Sequence, residues 1–117
     1  MSVAIIGGSV SPSTAYTTNA QTGTTYTVVL TDANNTLVEL NNASAITLTI
    51  PTNATTAFPV GSQVNILQTG AGQVTVAGAG GVTVNGTPGL KLRAQWAAAS
   101  LVKRATDTWV VIGDTSA

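Results

Sequence analysis

Short stretches of strict apolar–polar alternation, broken every few residues by Gly, Asn or Pro, constrain this chain more than any other feature. In residues 45–50, Ile46, Leu48 and Ile50 alternate with Thr47 and Thr49, the period of two that marks a strand with one buried face. Pro51 ends that strand by withholding a ladder donor. The same reading predicts strands over residues 24–31, with Tyr26, Val28 and Leu30 inward, over residues 36–41, and over residues 62–69, with Val64 and Ile66 inward. Between the first two, Asp32, Ala33, Asn34 and Asn35 are turn chemistry, because Asn and Asp tolerate the left-handed backbone. Thr supplies 21 of the 117 residues, and β-branched side chains, stiff at their first torsion, suit a pleated sheet better than a helix.

Strands this short, with Gly-rich connections, point to an all-β fold: an antiparallel β-sandwich or a jelly-roll-like barrel with an N-terminal arm. The pattern Gly-x-Val-Thr-Val-x-Gly occurs at residues 72–78 and again at 80–86. It raises a β-solenoid as an alternative, but stacked repeats need at least about three copies for stability. A hairpin of two short strands accounts for two copies. A second hairpin is expected from residues 99–104 and 108–112 around Ala105, Thr106 and Asp107. Residues 1–23 show no sustained period and read as an arm or leader; residues 24–117 read as one β domain.

The composition removes most catalytic chemistry. The chain has no Cys and no His, so disulfides, thiolate or imidazole metal sites, and Ser–His or Cys–His nucleophile pairs are excluded. No cofactor is expected, and the Gly-rich residues 70–81 hold neither a P-loop lysine nor a dinucleotide pattern. Asp107 and Asp114 bracket the last strand and read as turn formers rather than calcium ligands. Four acidic residues balance four basic ones. A neutral chain lacks the electrostatic attraction that dominates nucleic-acid binding. It also lacks the net charge that keeps surfaces apart, so much of its surface is expected to be covered, in a homo-oligomer or against a larger assembly. The apolar runs are too short to span a membrane, and residues 1–6 lack the basic start of a secretory signal, which predicts a cytoplasmic origin.

All four basic residues and both tryptophans fall in residues 85–117. There Leu90, Leu92, Ala94 and Trp96 alternate with Lys91, Arg93 and Gln95 as a strand would. Lys91, Arg93 and Lys103 form a candidate anion-facing patch, with a solvated face that deters edge pairing as its plainer explanation. Trp96 and Trp109 stand at apolar phases and are candidate core or interface aromatics; sugar stacking is the alternative. Val3, Ile5 and Ile6 form a candidate apolar peg for docking on a partner, with a disordered end or a first strand of the module's own sheet as the alternative.

Residues 26–31, 40–51 (LNNASAITLTIP), 58–61 and 88–114 (PGLKLRAQW, LVKR, DTWVVIGD) together resemble segments of short β-rich modules in virion proteins of tailed bacteriophages. Such modules belong to head-decoration proteins, head fibres and tail fibres, and the resemblance brings no catalytic residues with it. It implies a non-enzymatic virion structural protein, and within that class a capsid decoration protein on the virion exterior, bound to the major capsid protein at junctions of its subunits, is the expectation. A homotrimer follows as an expectation from such sites. A fibre module that contacts a host surface polymer is the alternative.

Overall fold

A computed structural model gives the fold and describes residues 15–117. Its strands are β1 Thr17–Gln21, β2 Thr25–Thr27, β3 Thr36–Leu40, β4 Ile46–Ile50, β5 Gln63–Gln68, β6 Val74–Gly78, β7 Thr83–Gly86, β8 Lys91–Leu92, β9 Ala98–Ala105, β10 Thr108–Gly113 and β11 Thr115–Ser116. Two facing sheets form, in the orders β1-β3-β5-β9-β10-β7 and β2-β4-β6-β8-β11; we call them the six- and five-stranded sheets. The chain alternates between them, so β1–β2, β3–β4 and β5–β6 are three coils stacked in parallel.

The molecule is therefore a small β-solenoid, and the antiparallel sandwich or jelly-roll-like barrel expected from the sequence is incorrect. The physical reason lies in the corners. Residues 41–45 and 69–73 have the Asn, Ser and Gly content of hairpin turns, yet they bend the chain from one sheet to the other. Asn42 shows how: its Nδ2 donates to Thr22 O of the coil before (2.8 Å), its Oδ1 accepts from Ser44 N (2.8 Å), and its carbonyl accepts from Gly72 N of the coil after (2.7 Å). The Ser44 bond shapes the bend locally, and the other two join coil to coil instead of closing a hairpin. The expected hairpin over residues 72–86 is likewise absent, because β6 and β7 belong to opposite sheets.

Parallel register stacks like positions on one another, about 4.8 Å apart. Asn19, Val38 and Ile66 form one inward ladder; Gln21, Leu40 and Gln68 a second; Tyr26, Leu48 and Val76 a third. The second and third coils are apolar inside, with Val38, Leu40, Leu48, Ile50, Val64 and Ile66 fully buried. The first coil, at the end of the stack among the described residues, is more polar inside, where Asn19, Gln21 and Tyr26 stand beside the buried Val28. β1 lies within the stretch read as an arm and pairs along its length with β3. Leu30, expected inward, is half exposed in a 3-10 turn, Leu30–Ala33.

The last third reverses direction. β8 pairs antiparallel with β6, and β9 antiparallel with β5. The expected hairpin of β9 and β10 forms, with a register shift at Thr108/Trp109; β7 then lies parallel to β10 at the edge of the six-stranded sheet, and β11 antiparallel to β8.

Candidate functional site

Val3, Ile5 and Ile6 lie outside the described residues. The fold does not gather the basic residues. Lys91 is exposed on β8 of the five-stranded sheet, whereas Lys103 points inward from β9 of the other sheet and is only 3% exposed. Arg93 follows β8 and forks onto Asp114, with Nε to Oδ1 at 2.7 Å and a terminal nitrogen to Oδ2 at 2.8 Å. That bond holds the Asp114 carboxyl below its ordinary range. A convergent patch of Lys91, Arg93 and Lys103 is therefore not formed, because the alternation that puts Leu101 inside also puts Lys103 inside.

The tryptophans part company. Trp109 is buried and meets Phe58 edge-on, with ring centroids 5.3 Å apart at 88°. Trp96 is 67% exposed. The strand expected through residues 90–96 stops at Leu92, and the chain turns, leaving Trp96 with φ of +73° beside Gln95. Its backbone N–H donates to Gln68 O (2.7 Å), while Gln95 Nε2 donates to Thr69 O (3.0 Å). An exposed indole is thus held at a solenoid corner in a conformation that side chains with a Cβ seldom adopt.

The outer faces of the two sheets differ in chemistry. The five-stranded sheet carries hydroxyls: Thr25, Thr47 and Thr75 form one outward ladder, and Thr27 and Thr49 start a second. The six-stranded sheet carries Leu37, Leu67, Val102, Val110 and Ile112 in the outward phase, and Ile112 is 60% exposed. Its outward charges are Glu39 and Arg104. Its polar centre is internally satisfied, since Gln63 Nε2 and Ser100 Oγ both donate to Asn65 Oδ1 (3.0 and 2.7 Å) and Asn65 Nδ2 donates to Tyr16 OH (3.0 Å). A shallow groove of about 260 Å³ crosses this face between Leu37, Asn65, Ser100, Ile112 and Gly113. Sequence reasoning missed the face, although the unbroken apolar run from Trp109 to Ile112 signals a strand that is apolar on both sides.

A second cluster closes the first coil. Asp32 is buried; its Oδ1 accepts from Asn19 Nδ2 (2.9 Å), and its Oδ2 accepts from Tyr26 OH (2.6 Å) and Val29 N (3.0 Å). Gln21 Nε2 donates to Asn19 Oδ1 (2.8 Å). Burial, and then the bond to Asp32 and its charge, push the Tyr26 hydroxyl up to about 12. Every donor aimed at Asp32 is matched, so the cluster reads as a polar plug. Among the described residues no three His, Cys, Asp or Glu side chains come together as a metal site, and no helix is long and apolar enough to cross a membrane. No protein-family model and no curated protein matches the chain.

Proposed function

We propose that this chain is a non-enzymatic structural protein of a bacteriophage virion, a capsid decoration protein that seats the outer face of its six-stranded sheet on other protein. That face is the observation that carries the reading. It presents Leu37, Leu67, Val102, Val110 and Ile112 around a shallow groove, and its polar centre already has hydrogen-bond partners, so covering it removes apolar surface from water with few polar groups left unmatched. Its surfaces to cover are a second and third copy, in a trimer, and the major capsid protein. The hydroxyl-lined five-stranded sheet is left to solvent. The phage assignment rests on the resemblance of residues 26–31, 40–51, 58–61 and 88–114 to virion modules.

The test is an Ile112→Lys, Leu67→Lys double variant. Both side chains point outward, so the chain is expected to keep its β circular dichroism. Light scattering should give the mass of a single chain, and sedimentation with capsids stripped of the protein should show lost occupancy. An oligomer mass and capsid occupancy equal to those of the unaltered protein would refute the assignment.

Trp96 favours a second reading, a fibre module that contacts a host surface polymer. An exposed indole offers a flat apolar face to a sugar ring, and Gln95 beside it offers an amide. On this reading host envelope polysaccharide quenches Trp96 fluorescence and Trp96→Ala abolishes the change; an unresponsive indole removes it.

A further inference from the structure

Lys103 extends from β9 into the interior, 3% exposed, and its Nζ donates to two neutral oxygens: Asn53 Oδ1 at 2.6 Å and the Phe58 carbonyl at 2.7 Å. Asn53, in the loop after β4, is fixed from its other side, since its backbone N–H donates to Asp107 Oδ1 at 2.7 Å. The Phe58 ring stands edge-on to Trp109, and Trp109 is the register partner of Lys103 across β9 and β10. A buried amine and a half-buried carboxamide are therefore pressed together next to Phe58. The Asn53 carbonyl carbon lies one C=O bond, about 1.2 Å, behind the oxygen that Nζ touches. With Nζ 2.6 Å from that oxygen, the carbon lies about 2.9–3.8 Å from Nζ for a hydrogen bond between right-angled and straight, a span that contains the roughly 3–3.5 Å at which reacting atoms are poised.

We propose that Lys103 and Asn53 join through an intramolecular isopeptide bond. An Nζ proton passes along its hydrogen bond to Asn53 Oδ1 and on to the amide nitrogen, which frees the Nζ lone pair to attack Asn53 Cγ; a new C–N bond forms, and the bond from Cγ to the amide nitrogen breaks. Of the three protons on the Lys103 ammonium, one stays on the new secondary amide and two leave with the departing nitrogen, which becomes ammonium. Charge and atoms balance, nothing is oxidised or reduced, and no co-reactant is needed. The product replaces a cation lodged among neutral acceptors with an uncharged amide, and buried unpaired charge is the more costly of the two. The link spans the third coil and the reversal that follows it, tying the loop after β4 to β9.

The test is the intact mass of the freshly purified full chain, measured under denaturing conditions. It should be lighter than the sequence mass by one ammonia, about 17 Da, and digestion should yield a branched peptide that carries both Lys103 and Asn53. Lys103→Arg and Asn53→Ala should each restore the full mass for their sequence. Two results would overturn the proposal. One is a folded unaltered protein at full sequence mass, with Lys103 and Asn53 recovered on separate peptides. The other is the same mass deficit in Lys103→Arg, which would place the ammonia loss elsewhere, as cyclisation at Asn85-Gly86 would.

Discussion

Gly72 stands where the third coil crosses the second, and replacing it with Ala tests whether coil stacking holds the fold together. A Cβ built there falls 1.8 Å from Ser44 O, 2.5 Å from Ser44 C and 2.6 Å from Asn42 O, all of them backbone atoms. Close contacts between carbon and a carbonyl oxygen settle at about 3.3–3.6 Å. The two corners must therefore part by about 1.5 Å, and the 2.7 Å bond from Gly72 N to Asn42 O goes with them. Overpacking of this kind costs about 1–3 kcal/mol, and the hydrogen bond contributes about 1 kcal/mol, so Gly72→Ala should lower stability by about 2–4 kcal/mol. Against a total of roughly 5–15 kcal/mol for a domain, that is a large fraction. Gly80 is the control. Nothing lies within 4 Å of a Cβ there, so Gly80→Ala should be neutral, or stabilising by up to about 1 kcal/mol through the unfolded chain. Urea unfolding followed by the fluorescence of buried Trp109 reads both. If Gly72→Ala matches Gly80→Ala to within about 0.5 kcal/mol, with an unchanged dependence on urea, close stacking at this corner does not hold the coils together.

Trp109→Ala should cost about 3–5 kcal/mol, as aromatic-to-Ala changes in cores do, while Trp96→Ala should stay within about 0.5 kcal/mol of the parent; thermal unfolding of the two variants separates them. Gln68 is buried, with Nε2 donating to Gly70 O and Oε1 accepting from Val74 N (both 3.1 Å). Gln68→Leu keeps the volume but strands both backbone groups, and chemical denaturation should show a loss of about 1–3 kcal/mol for each. Tyr26, whose hydroxyl is raised to about 12 in the fold, ionises near 10 when unfolded. The folded state then holds a proton that the unfolded state has lost, so this stability is fully present below pH 10 and disappears as pH rises through 12. Titration of phenolate absorbance, compared with Tyr26→Phe, should show the late transition, and the variant should lose its share of the alkaline destabilisation.

The strands were legible because their chemistry is local. Ile46, Leu48 and Ile50, and likewise Val64 and Ile66, alternate as a half-buried strand must, and they are buried. The arrangement of the strands was not legible, because Asn41, Asn42 and Gly72 serve a corner between sheets with the same side chains that would serve a hairpin. Nor does a fixed period betray the coils. Thr17 lies beside Thr36 and Thr25 beside Thr47, offsets of 19 and 22 residues, whereas Leu37 beside Asn65 and Ile46 beside Val74 are offsets of 28. The eight-residue echo at residues 72–86 lies across two sheets and carries no pairing. A truer signal is Gln-Thr-Gly, at residues 21–23 and again at 68–70, which marks the same corner in the first and third coils. At the candidate docking face, Leu67 falls in the outward phase of the strand whose Val64 and Ile66 face inward, so alternation alone gives it to solvent. Charge groups Lys103 with Lys91 and Arg93, whereas the phase it shares with Ala99 and Leu101 turns it inward.

The equal offset of 28 residues in both sheets between the second and third coils has a consequence for how such a chain can lengthen. A tandem duplication of 28 residues would add one rung to each sheet at once, preserve every inward ladder, and leave the polar plug at one end and the reversed strands at the other as they are. Other lengths would have to be taken up in a corner, as the first coil does by setting its two sheets three residues out of step. The molecule is thus built to a quantum of length, with two fixed ends and a middle that can be copied.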